Sequence, residues 1–241
     1  MKGKLVFVMG GGRFGTNALR YLKAKGAKVL VVDLNPGCLA KSEVDFCSVE
    51  LTVLDSLGAG QAVFFVGDAV DVLVQFLEIN APDFVVTAIP GNAVAKVVEC
   101  WLAKRGGMLE PYLKAVPEVL KNIPESLVSF VDDVSGVIVV SYMPSSMRCR
   151  DNCLPPKDVC ASTGRPKLAS MDKLLEFSVY KIIDISAVLM SRQLTGGLGA
   201  IDGKELCSFL KRLETVHTSC TLAIGTACDC HCVVNLAKVI K

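Results

Sequence analysis

Short apolar runs alternate with amphipathic stretches from the first residues of the chain. Residues 4–9 (KLVFVM) form a compact run rich in β-formers, the pattern of a strand buried on both faces of a parallel sheet. Three glycines follow. Phe14, Ala18, Tyr21 and Leu22 then recur at helical spacing, and Gly26 supplies a C-terminal stop. Residues 28–32 (KVLVV) repeat the strand pattern and run into Asp33. Residues 62–66 (AVFFV) predict a third strand. Gly67-Asp68-Ala69 comes next, then a helix with Asp68 as N-cap and Val70, Leu73, Val74 and Leu77 on one face. Residues 84–89 (FVVTAI) predict a fourth strand. A helix from about Asn92 buries Val94, Val97, Val98, Trp101 and Leu102 and stops at Gly106-Gly107. Repeated strand–helix units predict an α/β fold, a Rossmann-like doubly wound parallel sheet with right-handed crossovers, over residues 1–107.

The rest, residues 108–241, predicts a smaller Cys-rich α/β region that either extends the first sheet or forms a second domain. Three prolines (Pro111, Pro117, Pro124) mark residues 108–125 as a crossing segment with a short helix. Two strands lie around Asp132-Asp133 and Gly136, in LVSFV and VIVVSYM. Residues 161–170 read as loop and 178–189 as a strand with its flanks. Asp202 with Glu205 three positions on is a capping-box pattern for a helix buried through Leu206, Phe209, Leu210 and Leu213. Residues 220–224 read as strand, and the segment after Cys228-Asp229-Cys230-His231-Cys232 as a final amphipathic helix.

Composition narrows the function classes. Of the 241 residues, 51% are apolar and 21% charged, enough for a sizeable core and against disorder. The net charge of +2 is low for a protein that neutralises phosphates along a nucleic acid. No run reaches the ~18–20 uncharged apolar residues that span a bilayer, and the five apolar residues before the glycines are too few for a signal-peptide core. The expectation is a cytoplasmic protein with no nucleic-acid partner and no direct membrane insertion.

Gly10-Gly11-Gly12-Arg13-Phe14-Gly15 fits G-x-G-x-x-G, with a strand before it, a helix after it, and an acid, Asp33, closing the next strand 23 residues past Gly10. Each part has a physical role. Gly10 permits the tight turn, Gly12 lets the backbone approach a diphosphate, and Gly15 lets helix and strand pack closely. The helix N-terminus offers free N–H groups and partial positive charge. Asp33 accepts from ribose hydroxyls and repels a 2′-phosphate, favouring NAD(H) over NADP(H). Ligands of such sheets bind at the carboxyl ends of the strands, which here hold Gly10–Gly15, Asp33, Gly67-Asp68 and Thr87–Asn92.

On the glycine loop, Asp33 with Asn35 behind it, and Gly67-Asp68-Ala69, residues 4–105 resemble the TrkA-N type nucleotide-binding domain, also called RCK or KTN. That family regulates potassium uptake systems and channels. The resemblance implies Arg13 near the pyrophosphate, with Phe14 beside it in the loop, and Asp68 and Ala69 against the adenine. It also implies a ligand that is NAD(H) or another adenine nucleotide (ATP, ADP or AMP in some members), a homo-oligomer, and a membrane transporter as partner. The stretch between Asn35 and Ala62 is longer than is usual in that family.

Cysteine is unevenly spread. Residues 1–143 hold three of the eleven and residues 144–241 hold eight, while the net charge moves from −2 to +4. Cys149-x3-Cys153-x6-Cys160 places three soft ligands on a Pro-rich loop, and Cys228, Cys230, His231 or Cys232 supplies a fourth if the fold brings the clusters together. Four such ligands suit zinc or an iron–sulfur centre. Reduced buried thiols are an equal reading of this pattern, and redox-active or disulfide-forming cysteines a lesser one. Arg148 and Arg150 would lower thiolate pKa values in either use. His217 has no visible partner. The functional expectation is an NAD(H)-binding protein with a regulatory, redox- or metal-sensing role. The alternatives are an NAD-dependent oxidoreductase with a Cys-ligated metal or Fe–S centre, and a potassium-transport regulatory subunit.

Overall fold

The computed structural model describes residues 1–150, 152–154, 156–216 and 218–240, so His217 lies outside the described residues. In chain order the elements are β1 (Leu5–Met9), α1 (Arg13–Ala24), β2 (Lys28–Asp33), β3 (Phe46–Ser48), β4 (Ala62–Val66), α2 (Ala69–Ile79), β5 (Phe84–Thr87), α3 (Ala93–Ala103), β6 (Met108–Pro111), α4 (Val116–Lys121), β7 (Val128–Asp132) and β8 (Val137–Ser141). Then follow α5 (Met171–Val179), β9 (Ile185–Met190), β10 (Arg192–Thr195), β11 (Leu198–Asp202), α6 (Gly203–Glu214), β12 (Cys220–Ala227) and β13 (His231–Ile240). They fall into two compact units, Met1–Ala93 with Ala200–Ser208, and Val94–Gly199 with Phe209–Lys241.

The first unit is built on β5-β1-β2-β4-β3, all parallel. The end of β11 adds an antiparallel edge, Ile201 opposite Val85 and Asp202 opposite Phe84. The sheet is therefore mixed, not purely parallel as the strand–helix alternation predicts. Val6, Val8, Met9, Val29, Val31 and Val32 are fully buried, so both faces of the central strands are covered. The chain moves outward from β1 through β2 to β4, then returns by α2 to β5 on the far side of β1. The carboxyl ends of β1 and β5 therefore flank the point where strand order reverses, the position at which open α/β sheets form a crevice. The long stretch between Asn35 and Ala62 holds two 3-10 turns and the short edge strand β3.

The second unit is a mixed sheet in the order β7-β8-β13-β12-β9, with β6 also on β13. The ten-residue β13 organises it. One edge pairs with all of β12, and the other pairs with β8 through His231–Asn235 and with β6 through Ala237–Ile240. This segment is not the amphipathic helix predicted from its apolar spacing. Val233, Val234, Val239 and Ile240 are β-branched, and ladders on both edges satisfy the backbone. Similarly, the strand expected over 178–189 starts only at Ile185, because α5 continues to Val179 and Lys181 turns the chain with φ 63°. The core gathers Val119, Ile138, Val140, Met171, Leu175, Val234 and Leu236, and Cys160 and Cys232 are buried in it.

Candidate functional site

The glycine loop of the first unit joins β1 to α1, and each glycine meets a different surrounding. Gly10 has φ 96°, and a Cβ there would lie 2.9 Å from the Ala88 carbonyl oxygen. At Gly15 a Cβ would stand 1.8 Å from the Gly10 oxygen, so only glycine lets α1 rest on the turn. A Cβ on Gly11 would strike the Cys38 thiol at 2.4 Å. Gly12 differs. It is the N-cap of α1 in an extended conformation (φ −72°, ψ −165°), has no side-chain cap, and would carry a Cβ into open space. No acid occupies the first turn of α1. Its leading N–H groups and the positive end of its dipole therefore meet no side-chain cap and no acid of that turn.

Asp33, at the end of β2, organises this loop. Its Oδ2 accepts the Gly11 N–H at 2.6 Å and its Oδ1 the Asn35 N–H at 2.7 Å. Asn35 accepts from Gly37 and shapes the next turn. The Thr16 hydroxyl donates back to the Gly11 and Gly12 carbonyls, fixing the first turn of α1. Phe14, placed on the helical face by its spacing, is 59% exposed and carries the Arg13 guanidinium over its ring at 5.1 Å. The buried stripe is Gly15, Ala18, Leu19 and Leu22 instead. Asp68 caps α2, its Oδ1 accepting from the Val70 and Asp71 N–H groups, with Gly67 and Ala69 on either side. Thr87 ends β5, beside Met9 of β1. Past the ends of β3 and β4, a hollow of about 530 Å³ is lined by Lys41, Cys47, Ser48, Glu50, Phe64 and Val66, among others.

Cys38 carries a signal the sequence does not reveal. Its thiol rests on Gly11, and burial pushes its pKa up against the N–H groups of Lys41 and Ala40. Only the fold puts a cysteine against this loop.

In the second unit the thiols come from three places. The loop after β8 brings Cys149 and Cys153, which act electrostatically on each other. Cys160 opens a small hairpin, with Val159 bridged to Pro166 and the Cys160 N–H donating to the Arg165 carbonyl. Cys230 lies in the β12–β13 turn, where its carbonyl accepts the Tyr142 N–H. Cys149 feels Cys160 and Cys230 as well as Cys153, and burial, followed by these neighbours, pushes its thiol up to about 11. Burial also opposes ionisation of Cys160, yet its thiol falls below the usual value. The Thr163 hydroxyl, the backbone N–H groups of Ser162 and Thr163, and the charge of Lys167 outweigh burial. Burial raises Cys230 against a hydrogen bond from Lys167. His231 contacts Cys228. Its Nδ1 is 3.7 Å from the Cys228 sulfur, and burial, then Lys167, lowers its pKa. Cys232 is pushed to about 12 by burial. Among the described residues, no three His, Cys, Asp or Glu side chains converge closely enough to hold a metal ion as they stand.

Comparison with known families decides the lineage. Residues 94–240 match the profile of AF_1314_C, described as "Uncharacterized protein, C-terminal domain". The chain belongs to this family. Residues 5–90 match the partner profile AF_1314_N, the corresponding N-terminal domain. An Archaeoglobus fulgidus protein whose printed name is "Uncharacterized protein" is 29% identical over 231 residues, covering 96% of this chain and 98% of its own length. The expected TrkA-N membership is thereby corrected, because both parts of the chain match the AF_1314 profiles. The physical reason is plain. Gly10, Gly15 and Asp33 are demanded by a tight strand–turn–helix junction, so a motif built on them reports local geometry and not descent. The potassium-transport role rested on that resemblance and loses its support. No helix among the described residues is long and apolar enough to cross a membrane.

Proposed function

We propose that the first unit binds an adenine dinucleotide, with NAD(H) as the ligand its chemistry fits best, and that its parallel strands form a dinucleotide-binding sheet of the doubly wound type. The observation that carries this reading is Gly12. Packing demands glycine at positions 10 and 15, but among the described residues nothing lies within 4 Å of a Cβ at Gly12. Leaving out a Cβ there gains the fold nothing, and it opens the end of α1 to a diphosphate. Asp33 stands one strand over and touches the turn through the Gly11 N–H, and its carboxylate oxygens keep accepting capacity for ribose hydroxyls beyond the Gly11 and Asn35 N–H groups. The hollow past β3 and β4 is wide enough for a heterocycle. Of the residues expected to touch nucleotide, Gly12, Arg13 and Phe14 stand at the start of α1 and Asp33 at the end of β2. The Asp68 carboxylate is engaged as a cap.

Calorimetric titration of the full chain with NADH, NADPH and ATP tests the reading. NADH should bind more tightly than NADPH. Asp33→Arg should reverse that order, because a guanidinium pairs with a 2′-phosphate where a carboxylate repels it. Damage to the loop alone would weaken both ligands together. Absence of heat with all three nucleotides would refute the proposal.

A further inference from the structure

The turn between β12 and β13 joins a thiol to an imidazole. Cys228 lies one residue past β12, His231 opens β13, and Asp229 and Cys230 make the turn. The Cys228 N–H donates to the His231 carbonyl at 2.8 Å, so the two residues stand directly opposite each other and their side chains share one face of the hairpin. The Cys228 sulfur is 3.7 Å from the His231 Nδ1, within reach of a thiol–imidazole hydrogen bond. The pair is held from the neighbouring strand as well. His231 is opposite the buried Ser141 of β8, and the Tyr142 N–H donates to the Cys230 carbonyl at 3.0 Å. A thiolate is the reactive form of cysteine, and an ordinary thiol supplies only a few per cent of it at neutral pH. A base on the sulfur lifts that limit by taking the proton as the new bond forms. Burial, then the charge of Lys167, disfavours the imidazolium, which leaves a ring nitrogen of His231 able to accept. Among the described residues no third ligand joins the pair. Two donors are too few for a structural ion, and the arrangement suits reaction at sulfur. Cys228 is half-buried in a tight turn, which admits a small electrophile more readily than a bulky one.

We propose that Cys228 is a nucleophilic thiol that is oxidised by small hydroperoxides, with His231 as its base. The sulfur attacks the hydroxyl oxygen of the peroxide. An S–O bond forms as the O–O bond breaks, and the thiol proton passes by way of Nδ1 to the leaving oxygen. The sulfur loses two electrons and becomes a sulfenic acid, while the peroxide gains them and leaves as water or an alcohol. The imidazole ends as it began. A low-molecular-weight thiol returns Cys228 in two exchange steps, releasing water and a disulfide. This site lies in the second unit and does not depend on nucleotide binding by the first.

The test treats the full, reduced chain with limiting hydrogen peroxide at neutral pH in the presence of a dione that traps sulfenic acid, and maps the label by mass spectrometry. Accessibility alone puts Cys47 first, because Cys47 is exposed and Cys228 half-buried. The base reverses that order, and Cys228 should be labelled at least about tenfold faster than Cys47. His231→Ala should slow Cys228 by about tenfold or more and leave the rate at Cys47 unchanged. The order of labelling in the wild-type protein needs no variant, so it decides the matter even if His231→Ala misfolds. Cys47 labelled ahead of Cys228, or Cys228 left unlabelled, overturns the proposal. So does a folded His231→Ala protein whose Cys228 reacts as fast as in the wild type.

Discussion

Gly12→Asp separates stability from ligand binding, and the two should move in opposite directions. Gly12 already has the extended backbone of an N-cap, and a Cβ there has nothing within 4 Å. An aspartate enters without a clash. Its carboxylate can accept an N–H of the first turn of α1, which has no side-chain cap and no acid of its own. Asp and Gly differ by only a few tenths of a kcal/mol as caps. The added charge at the helix N-terminus contributes about 0.3–1 kcal/mol more. A total near 1 kcal/mol raises Tm by roughly 2–4 °C for a chain of this size. For a bound diphosphate the same carboxylate is a like charge. At about 5 Å and an effective dielectric constant near 20, the repulsion is about 3 kcal/mol per unit charge, or roughly two orders of magnitude in Kd. Differential scanning fluorimetry and NADH titration read the two effects on one sample. Unchanged NADH affinity would sink the placement of the diphosphate on α1. A lowered Tm would show that the space over Gly12 is not open.

Two further outcomes follow from the same structure. Gly15→Ala should destabilise by about 3 kcal/mol, because its Cβ would stand 1.8 Å from the Gly10 carbonyl oxygen and the turn and helix would have to separate; a urea midpoint close to wild type would refute this. Asp184 accepts the N–H and hydroxyl of Thr221, which hold its pKa below the ordinary 3.8. The unfolded chain therefore binds more protons here, so the stabilisation is present above 3.8 and is lost as pH falls through the lower folded value; in acid-denaturation curves Asp184→Asn should flatten this limb, and an unchanged slope would count against it.

Much of the first unit was legible in the sequence because its elements are local. β1, β2, β4 and β5 are unbroken apolar runs, and each ends at a glycine or a polar residue that the turn needs. Gly26 and Asp68 mark helix ends through their own backbone or side chain, and both act as expected, with φ 74° at Gly26 and two capping hydrogen bonds at Asp68. Phe14 shows where local reasoning stops. Its spacing fits the buried face, yet Gly15 has to face the β1 turn, and that rotates Phe14 outward. The edge strand β3 was invisible because three residues carry no periodicity.

By itself the sequence determined the α/β class, the glycine turn with its acid one strand away, and the uneven placement of the cysteines, since each depends on residues close together in the chain. Tertiary structure decided the rest. Residues 231–240 have apolar positions compatible with helix or strand, and only partners as distant as β6, β8 and β12 settle the matter, by taking up backbone groups on both edges. The same pairing chooses among the cysteines. It brings Cys230 within electrostatic reach of Cys149, and the turn before β13 puts the His231 Nδ1 3.7 Å from the Cys228 sulfur.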